Sequence, residues 1–339
     1  MFKNANGRPP FGILSEPVGS LERNTFELRN PMGGKANWLS RKLGFKHFQY
    51  MGAVSDDLYV GCAIADTGLV TNVFAYIFDP NSGRMQKRGW QTFRGKGFTY
   101  NADPDNGESR FHSSQGSVVM KARRDAAGGQ QIKTLQVDFN DDLQIDLNFE
   151  DGMPYEPMRI CTQTGASGWT YAQKVAGVPA TGTVIGELGE FDLAELNAFA
   201  HHDFTAGYLR RETYWHWACL SGIANSGEAL GLNLSCGVNE TSFTENCIWC
   251  NGELVKVDTV LFEFDPDDLD QPWHISSYDK RVDLTFTPLG AYRAHQNALI
   301  AATDFHQLFG RFDGVVRTPH KEIPVVSMHG FAERQYAKW

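Results

Sequence analysis

Residues 201 to 222 read HHDFTAGYLRRETYWHWACLSG. Two histidines and an aspartate are side chains that move protons. Imidazole titrates nearest neutrality, and an adjacent carboxylate sets its tautomer or raises its basicity. Burial of Asp203 would raise its own pKa and make it a proton donor, with His202 tuning it or activating water. His202 and Asp203 are consecutive, so a regular strand sends them to opposite faces, whereas a loop lets them converge. The competing role is a polar turn at the end of a helix over 192–202, which suits His201 better than His202.

Further on, Tyr214 to Leu220 reads as a strand. Trp215, Trp217 and Cys219 share one face; Tyr214, His216, Ala218 and Leu220 share the other. The indoles are either core anchors or walls of an apolar pocket that shield a developing cation. Arg210 and Arg211 precede the strand and could anchor a substrate carboxylate, while Asn239 and Glu240 end the strand after it. Near the C-terminus, SMHGFAERQYAKW brings His329 and Glu333 to the tryptophan-rich end. A buried Glu333 would be costly unless paired, for instance with Arg210 or Arg211. The catalytic candidates are therefore Asp203, His202 and Glu333, and the substrate-binding candidates Trp215, Trp217, Tyr214, Arg210, Arg211, His216 and Asn239.

Other chemistries lack their residues. There is no phosphate-binding G-x-x-x-x-G-K-[ST], no helix-opening G-x-G-x-x-G, no G-x-S-x-G elbow and no H-E-x-x-H. RGKGF (94–98) contains a G-x-G but sits amid strand pattern. Six cysteines are scattered, and CIWC (247–250) is a lone C-x-x-C without two further ligands or a strand-to-helix setting. No metal and no cofactor are expected.

The elements that must position these residues are short and alternating. LQVDF (135–139), LQIDLNF (143–149), ALGLNLSCGV (229–238), DTVLFEF (258–264) and RVDLTF (281–286) place apolar residues at every second position, the mark of strands with one buried face. Turn sequences such as DPNSG (79–83), NADPDNG (101–107) and DPDDLDQP (265–272) separate them. Helical spacing occurs only in NWLSRKLGF (37–45) and DLAELNAFAHH (192–202). An echo links the halves: AYIFDPNSG (75–83) then LQIDLNFE (143–150) parallels LFEFDPDD (261–268) then RVDLTFTP (281–288), implying two related β modules. Closing such strands into barrels or sandwiches solves the edge problem, and about eight strands enclose room for one small ligand.

The chain of 339 residues suits two modules, and its 42% hydrophobic content supports a core. The net charge of −9 is mixed along the chain, which argues against a nucleic-acid partner. No apolar run approaches a membrane span. The N-terminus lacks the apolar centre of a secretory signal, so a cytoplasmic location is expected.

HDFTAGYLRRETYWHWACLSG, GLNLSCGVNE, VDTVLFEFD, RVDLTFTP and HGFAERQYAKW, in this order, resemble the bacterial family known as domain of unknown function 2804. More distantly, the chain resembles carotenoid hydratases and AttH-like lipocalin-type double-barrel proteins, a group that includes natural-product cyclases. Those carry an Asp-His pair, a Trp-x-Trp strand and a final Gly-x-x-Glu; the matching pieces here are His202, Asp203 and Gly207, then Trp215 and Trp217, then Gly330 and Glu333. His and Asp stand in reverse order, and the aromatic before them is missing. The resemblance implies a mainly β chain of two lipocalin-like antiparallel barrel or sandwich modules packed together, with few short helices. The first module would span 1–190 with an N-terminal extension, and the second 191–339. It also implies a cofactor-independent enzyme that hydrates, isomerises or cyclises a small or medium hydrophobic substrate such as an alkene, terpenoid or lipid. The alternative is a protein that binds a hydrophobic ligand without chemistry. The expected partner is a small hydrophobic molecule, and a homodimer is compatible with the sequence.

Overall fold

The computed structural model describes residues 9–21, 26–93, 95–124, 130–140, 142–152, 154–238, 243–298 and 301–339. The alternating segments form two curled antiparallel sheets. The first runs in the order Met85–Phe93, Val70–Phe78, Tyr59–Asp66, Phe45–Val54, Phe199–Tyr208, Trp169–Gly186, Gln144–Gly152, Gln130–Asp138, Gly116–Arg124, Gly107–Ser113, Phe98–Thr99. The second runs Glu253–Lys256, Cys247–Cys250, Ala229–Cys236, Glu212–Ile223, Glu322–Lys338, Ala302–Arg317, Val282–Asn297, Trp273–Ser277, Val260–Glu263. The chain passes from one sheet to the other at 209–211. No helix among the described residues is long and apolar enough to cross a membrane.

One helix forms where expected, Trp38–Gly44, with the Asn37 side chain accepting from Ser40 N at 2.8 Å. The helix expected over 192–202 does not form. Asp192 accepts from the amides of Ala194 and Glu195 at 2.8 and 3.0 Å, but Asn197 adopts φ 49° and ends the turn. Residues 199–208 then pair on both edges, with Phe45–Val54 and with Trp169–Gly186. A strand bonded on two sides satisfies its backbone more completely than one more helical turn would.

Each sheet has its own inner layer. Leu220, Leu232, Ile248, Trp273, Phe286, Leu308 and Phe312 fill the second. The backs of the two sheets also meet, burying a junction between them. Tyr50 lies 6.0 Å from Trp217 and 5.9 Å from Phe331 between ring centroids, and Tyr76 lies 4.9 Å from Phe309. The closest approach is backbone to backbone: a Cβ on Gly231 would lie 2.2 Å from Ala176 O. Beside it Gly177, at φ +77° in a bulge, donates its amide to Ser221 Oγ at 3.0 Å. Only glycine allows both the contact and the left-handed conformation.

Candidate functional site

The strand Phe199–Tyr208 divides its polar residues between two compartments. Asp203 pairs across to Lys174 and Tyr50, and His201 to Ala176 and Gly52; these point to the junction between the sheets. His202 pairs with Val175 and Met51 on the opposite face, inside the first sheet. All three side chains are buried. His202 and Asp203 are thus separated by the sheet itself and do not act as a pair.

At the junction Lys174 Nζ lies 2.5 Å from Asp203 Oδ2 and 3.4 Å from Glu245 Oε1, and 4.6 Å above the ring of Trp217. Trp217 Nε1 donates to Asn233 Oδ1 at 2.7 Å, and Thr205 Oγ1 donates to Asp203 Oδ1 at 3.0 Å. Burial disfavours charge on Lys174, but Asp203 and Glu245 outweigh it and hold the amine above the usual lysine range. Burial pushes Asp203 up, only partly countered by Lys174.

Glu333 belongs to the same compartment. It stands opposite Trp217 and Gln307 on neighbouring strands and is 3% exposed. Gln307 Nε2 donates to its Oε1 at 2.7 Å and Trp215 Nε1 to its Oε2 at 3.2 Å. Burial raises its pKa to about 8, against the Trp215 hydrogen bond and the charge of Lys174, while Asp203 adds to the rise. That shift favours the protonated form of Glu333 at neutral pH. Nearby, the hydroxyls of Tyr50 and Tyr76 meet at 2.8 Å, and His201 Nε2 lies 3.2 Å from Tyr50 Oη. Burial lowers His201 to about 3, so its imidazole is neutral.

The other compartment is also polar. His202 Nδ1 is 3.1 Å from Lys133 Nζ, which pairs with Asp151 at 2.8 Å and donates to Gln173 Oε1 at 3.2 Å. Gln173 and Gln131 both donate to Asp105 Oδ1, at 2.7 and 2.6 Å. Burial and then Lys133 push His202 well below the usual histidine range, while burial raises Asp151. His202 is thus a neutral acceptor in a closed network.

The remaining candidates scatter. Trp215 is half-buried on the junction side, with its ring 6.5 Å from that of Trp339. Tyr214 and His216 lie on the far face of their strand, His216 against Phe262 and Phe264. Arg210 and Arg211 are exposed and hold the C-terminus: Trp339 Nε1 donates to Arg210 O at 2.9 Å, and Arg211 Nη1 to Trp339 O at 3.1 Å. The partners of Glu333 are an indole and an amide instead of these arginines. His329 sits away from Glu333, with Nδ1 3.0 Å from Tyr59 Oη. Asn239 falls outside the described residues.

Lys174, Glu245, Gln307 and the Tyr50–Tyr76 pair were not singled out in the sequence. The signal for Lys174 is a lone lysine within the buried run WTYAQKVAGV (169–178). Among the described residues no three histidine, cysteine, aspartate or glutamate side chains gather as a metal-binding group. Cys247 joins the junction core and Cys250 the inner layer of the second sheet, so CIWC cannot close on one ion.

The sequence model of the family described as "Domain of unknown function (DUF2804)" matches residues 4–339, and the chain belongs to that family. Three solved structures share its fold at low identity. Kievitone hydratase from Nectria haematococca is 11% identical, with 96% of this chain and 98% of that chain covered and a TM-score of 0.51. CghA with Sch210972 is 10% identical, covering 99% and 96%, at 0.50. A candidate AttH from Nitrosomonas europaea is 9% identical, covering 85% and 91%, at 0.50. The fold is the lipocalin-like double barrel of these proteins. No curated protein sequence matches the chain.

Proposed function

We propose that the protein is a cofactor-independent acid–base enzyme acting on a small or medium hydrophobic substrate, a hydratase, isomerase or cyclase, with Glu333 as the proton donor. The observation that carries this reading is the buried Glu333 carboxyl, which has no ion pair among the described residues, bonds a half-exposed indole on the same side as the Lys174–Asp203 pair, and is pushed by burial to a pKa of about 8. A carboxyl tuned to neutral pH is matched to general acid catalysis. Glu333 would deliver its proton to one carbon of an alkene reaching it past Trp215, leaving a cation on the other carbon. The indole of Trp215 and the carboxylate of Asp203 would shield that cation. One face of Trp217 is already occupied by Lys174, so its part is to hold the ammonium. Hydration would be completed by water adding to the cation and returning a proton to the Glu333 carboxylate; isomerisation would return a proton from a neighbouring carbon instead. That a hydratase shares the fold supports the reaction class only.

Native mass spectrometry of gently purified protein tests the proposal. A bound hydrophobic molecule should be converted by the wild type and not by Glu333→Gln or Asp203→Asn, with each variant checked for folding. Intact recovery of the same molecule from wild type and Glu333→Gln alike would refute catalysis. It would favour a hydrophobic-ligand carrier.

A further inference from the structure

On the face of Glu212–Ile223 turned away from Glu333, a groove of about 530 Å³ opens into the second sheet. Its volume falls in the range of small-molecule sites. Tyr214 and Tyr336 are cross-strand partners on its rim, as are His216 and Arg334 deeper in. Phe264 forms the opposite wall and is stacked on Trp273 at 4.1 Å and 20°, which fixes its ring. The lining is thus aromatic and flat-sided, with polar groups gathered at one point.

That point is the guanidinium of Arg334. Its Nη1 donates to Asp304 Oδ2 at 2.7 Å, and the other oxygen of Asp304 lies 3.2 Å from His295 Nδ1 and 3.0 Å from His306 Nε2. Asp304 is therefore shared among three groups, while Nε and Nη2 of Arg334 have no other carboxylate near them among the described residues. A guanidinium presents five donors in a fixed fork suited to a carboxylate. Burial, with Arg334 beside it, lowers His216 to about 4, so its ring faces the groove as a neutral surface.

We infer that this groove binds a flat aromatic acid, its ring between Tyr214, Tyr336 and Phe264 and its carboxylate on the open donors of Arg334. The site is separate from the acid at Glu333, since the two lie on opposite faces of one sheet. A saturated chain would not use the stacked walls, and an uncharged ring would leave the guanidinium without its second partner.

The test is calorimetric titration of the whole protein with 2-naphthoate and, as the uncharged isostere, 2-naphthamide. The acid should bind roughly tenfold or more tightly than the amide. Arg334→Met should reduce naphthoate to the level of the amide, with Arg334→Lys retaining part of the preference if loss of the arginine alone disturbs the sheet. Phe264→Ala should weaken both ligands, and Glu333→Gln should leave both unchanged. Absence of naphthoate binding, equal affinity for acid and amide, or indifference to Arg334→Met would overturn the inference. None of these results would touch the reading of Glu333, which rests on turnover.

Discussion

Replacing Glu333 by glutamine should flatten the pH dependence of stability. The carboxyl has a folded pKa of about 8 against a reference value of 4.5. Because the folded value is the higher one, the native state binds this proton more tightly than the unfolded chain does. Its stabilisation is complete below the reference value and is lost as pH rises through the folded value. Between the two the slope approaches 1.4 kcal/mol per pH unit, so from about pH 6 to about pH 8 the wild type should lose about 2 kcal/mol from this group alone. Glutamine keeps the shape and can still meet Trp215 and Gln307, but it does not titrate. Urea unfolding of both proteins at these two pH values should therefore show a fall larger by about 2 kcal/mol in the wild type. An infrared difference spectrum at neutral pH should also show a carboxylic-acid carbonyl present only in the wild type. Parallel pH profiles and no such band would mean that Glu333 is ionised in the folded protein, and the proton donor would be gone.

Four other outcomes follow from the same geometry. Lys174→Met leaves Asp203 and Glu245 buried without their ammonium and should cost about 3–5 kcal/mol; adding Asp203→Asn should recover part of it, and strict additivity in denaturation would refute the coupling. Asp203→Asn alone removes a charge that raises Glu333 and should move the midpoint of the stability slope to lower pH; an unchanged midpoint would show that the two acids do not interact. Gly52→Ala would set a Cβ 2.5 Å from Val60 O and 2.6 Å from His201 Nε2, so thermal unfolding should show a loss above about 2 kcal/mol, and wild-type stability would contradict the packing. His274, 2.9 Å from both Glu263 and Asp283 and largely exposed, has a raised pKa from those two hydrogen bonds. His274→Ala should cost at most about 1 kcal/mol in mild acid and nothing well above the folded pKa; a cost that grew with pH would reverse the argument.

The strands were legible because alternation is local. In WHWACL the order of side chains alone separates Trp217 and Cys219 from His216, Ala218 and Leu220, and the structure sends the first pair to the junction and the others away from it. The 192–202 segment misled because Leu193 and Leu196 do sit at helical spacing, while the pairing that makes 199–208 a strand comes from residues near 50 and 174. The same distance hid the site. Lys174 meets Asp203 only through register, and the partners of Glu333 proved to be Trp215 and Gln307, which no charge rule nominates. The two sheets repeat one strand order, and the DLxF strands Gln144–Gly152 and Val282–Asn297 hold equivalent places in it, whereas the FDP strands Val70–Phe78 and Val260–Glu263 do not: four strands lie between the echoing pair in the first sheet and one in the second.

The charge count at the junction bears most directly on function. A purely structural buried pair needs one acid for one base, and even then apolar side chains of similar volume would serve stability as well. Here the ammonium of Lys174 is taken up by Asp203 and Glu245, while Glu333 has no ion pair among the described residues and receives the neutral donors of Trp215 and Gln307. Burial opposes ionisation of Glu333 and the charge of Asp203 opposes it further, outweighing what the Trp215 hydrogen bond and Lys174 contribute, so Glu333 is the acid that tends to keep its proton. A proton held by such an imbalance is one the site can give up and recover as charge develops beside it, without breaking the ion pair that keeps the strands in register.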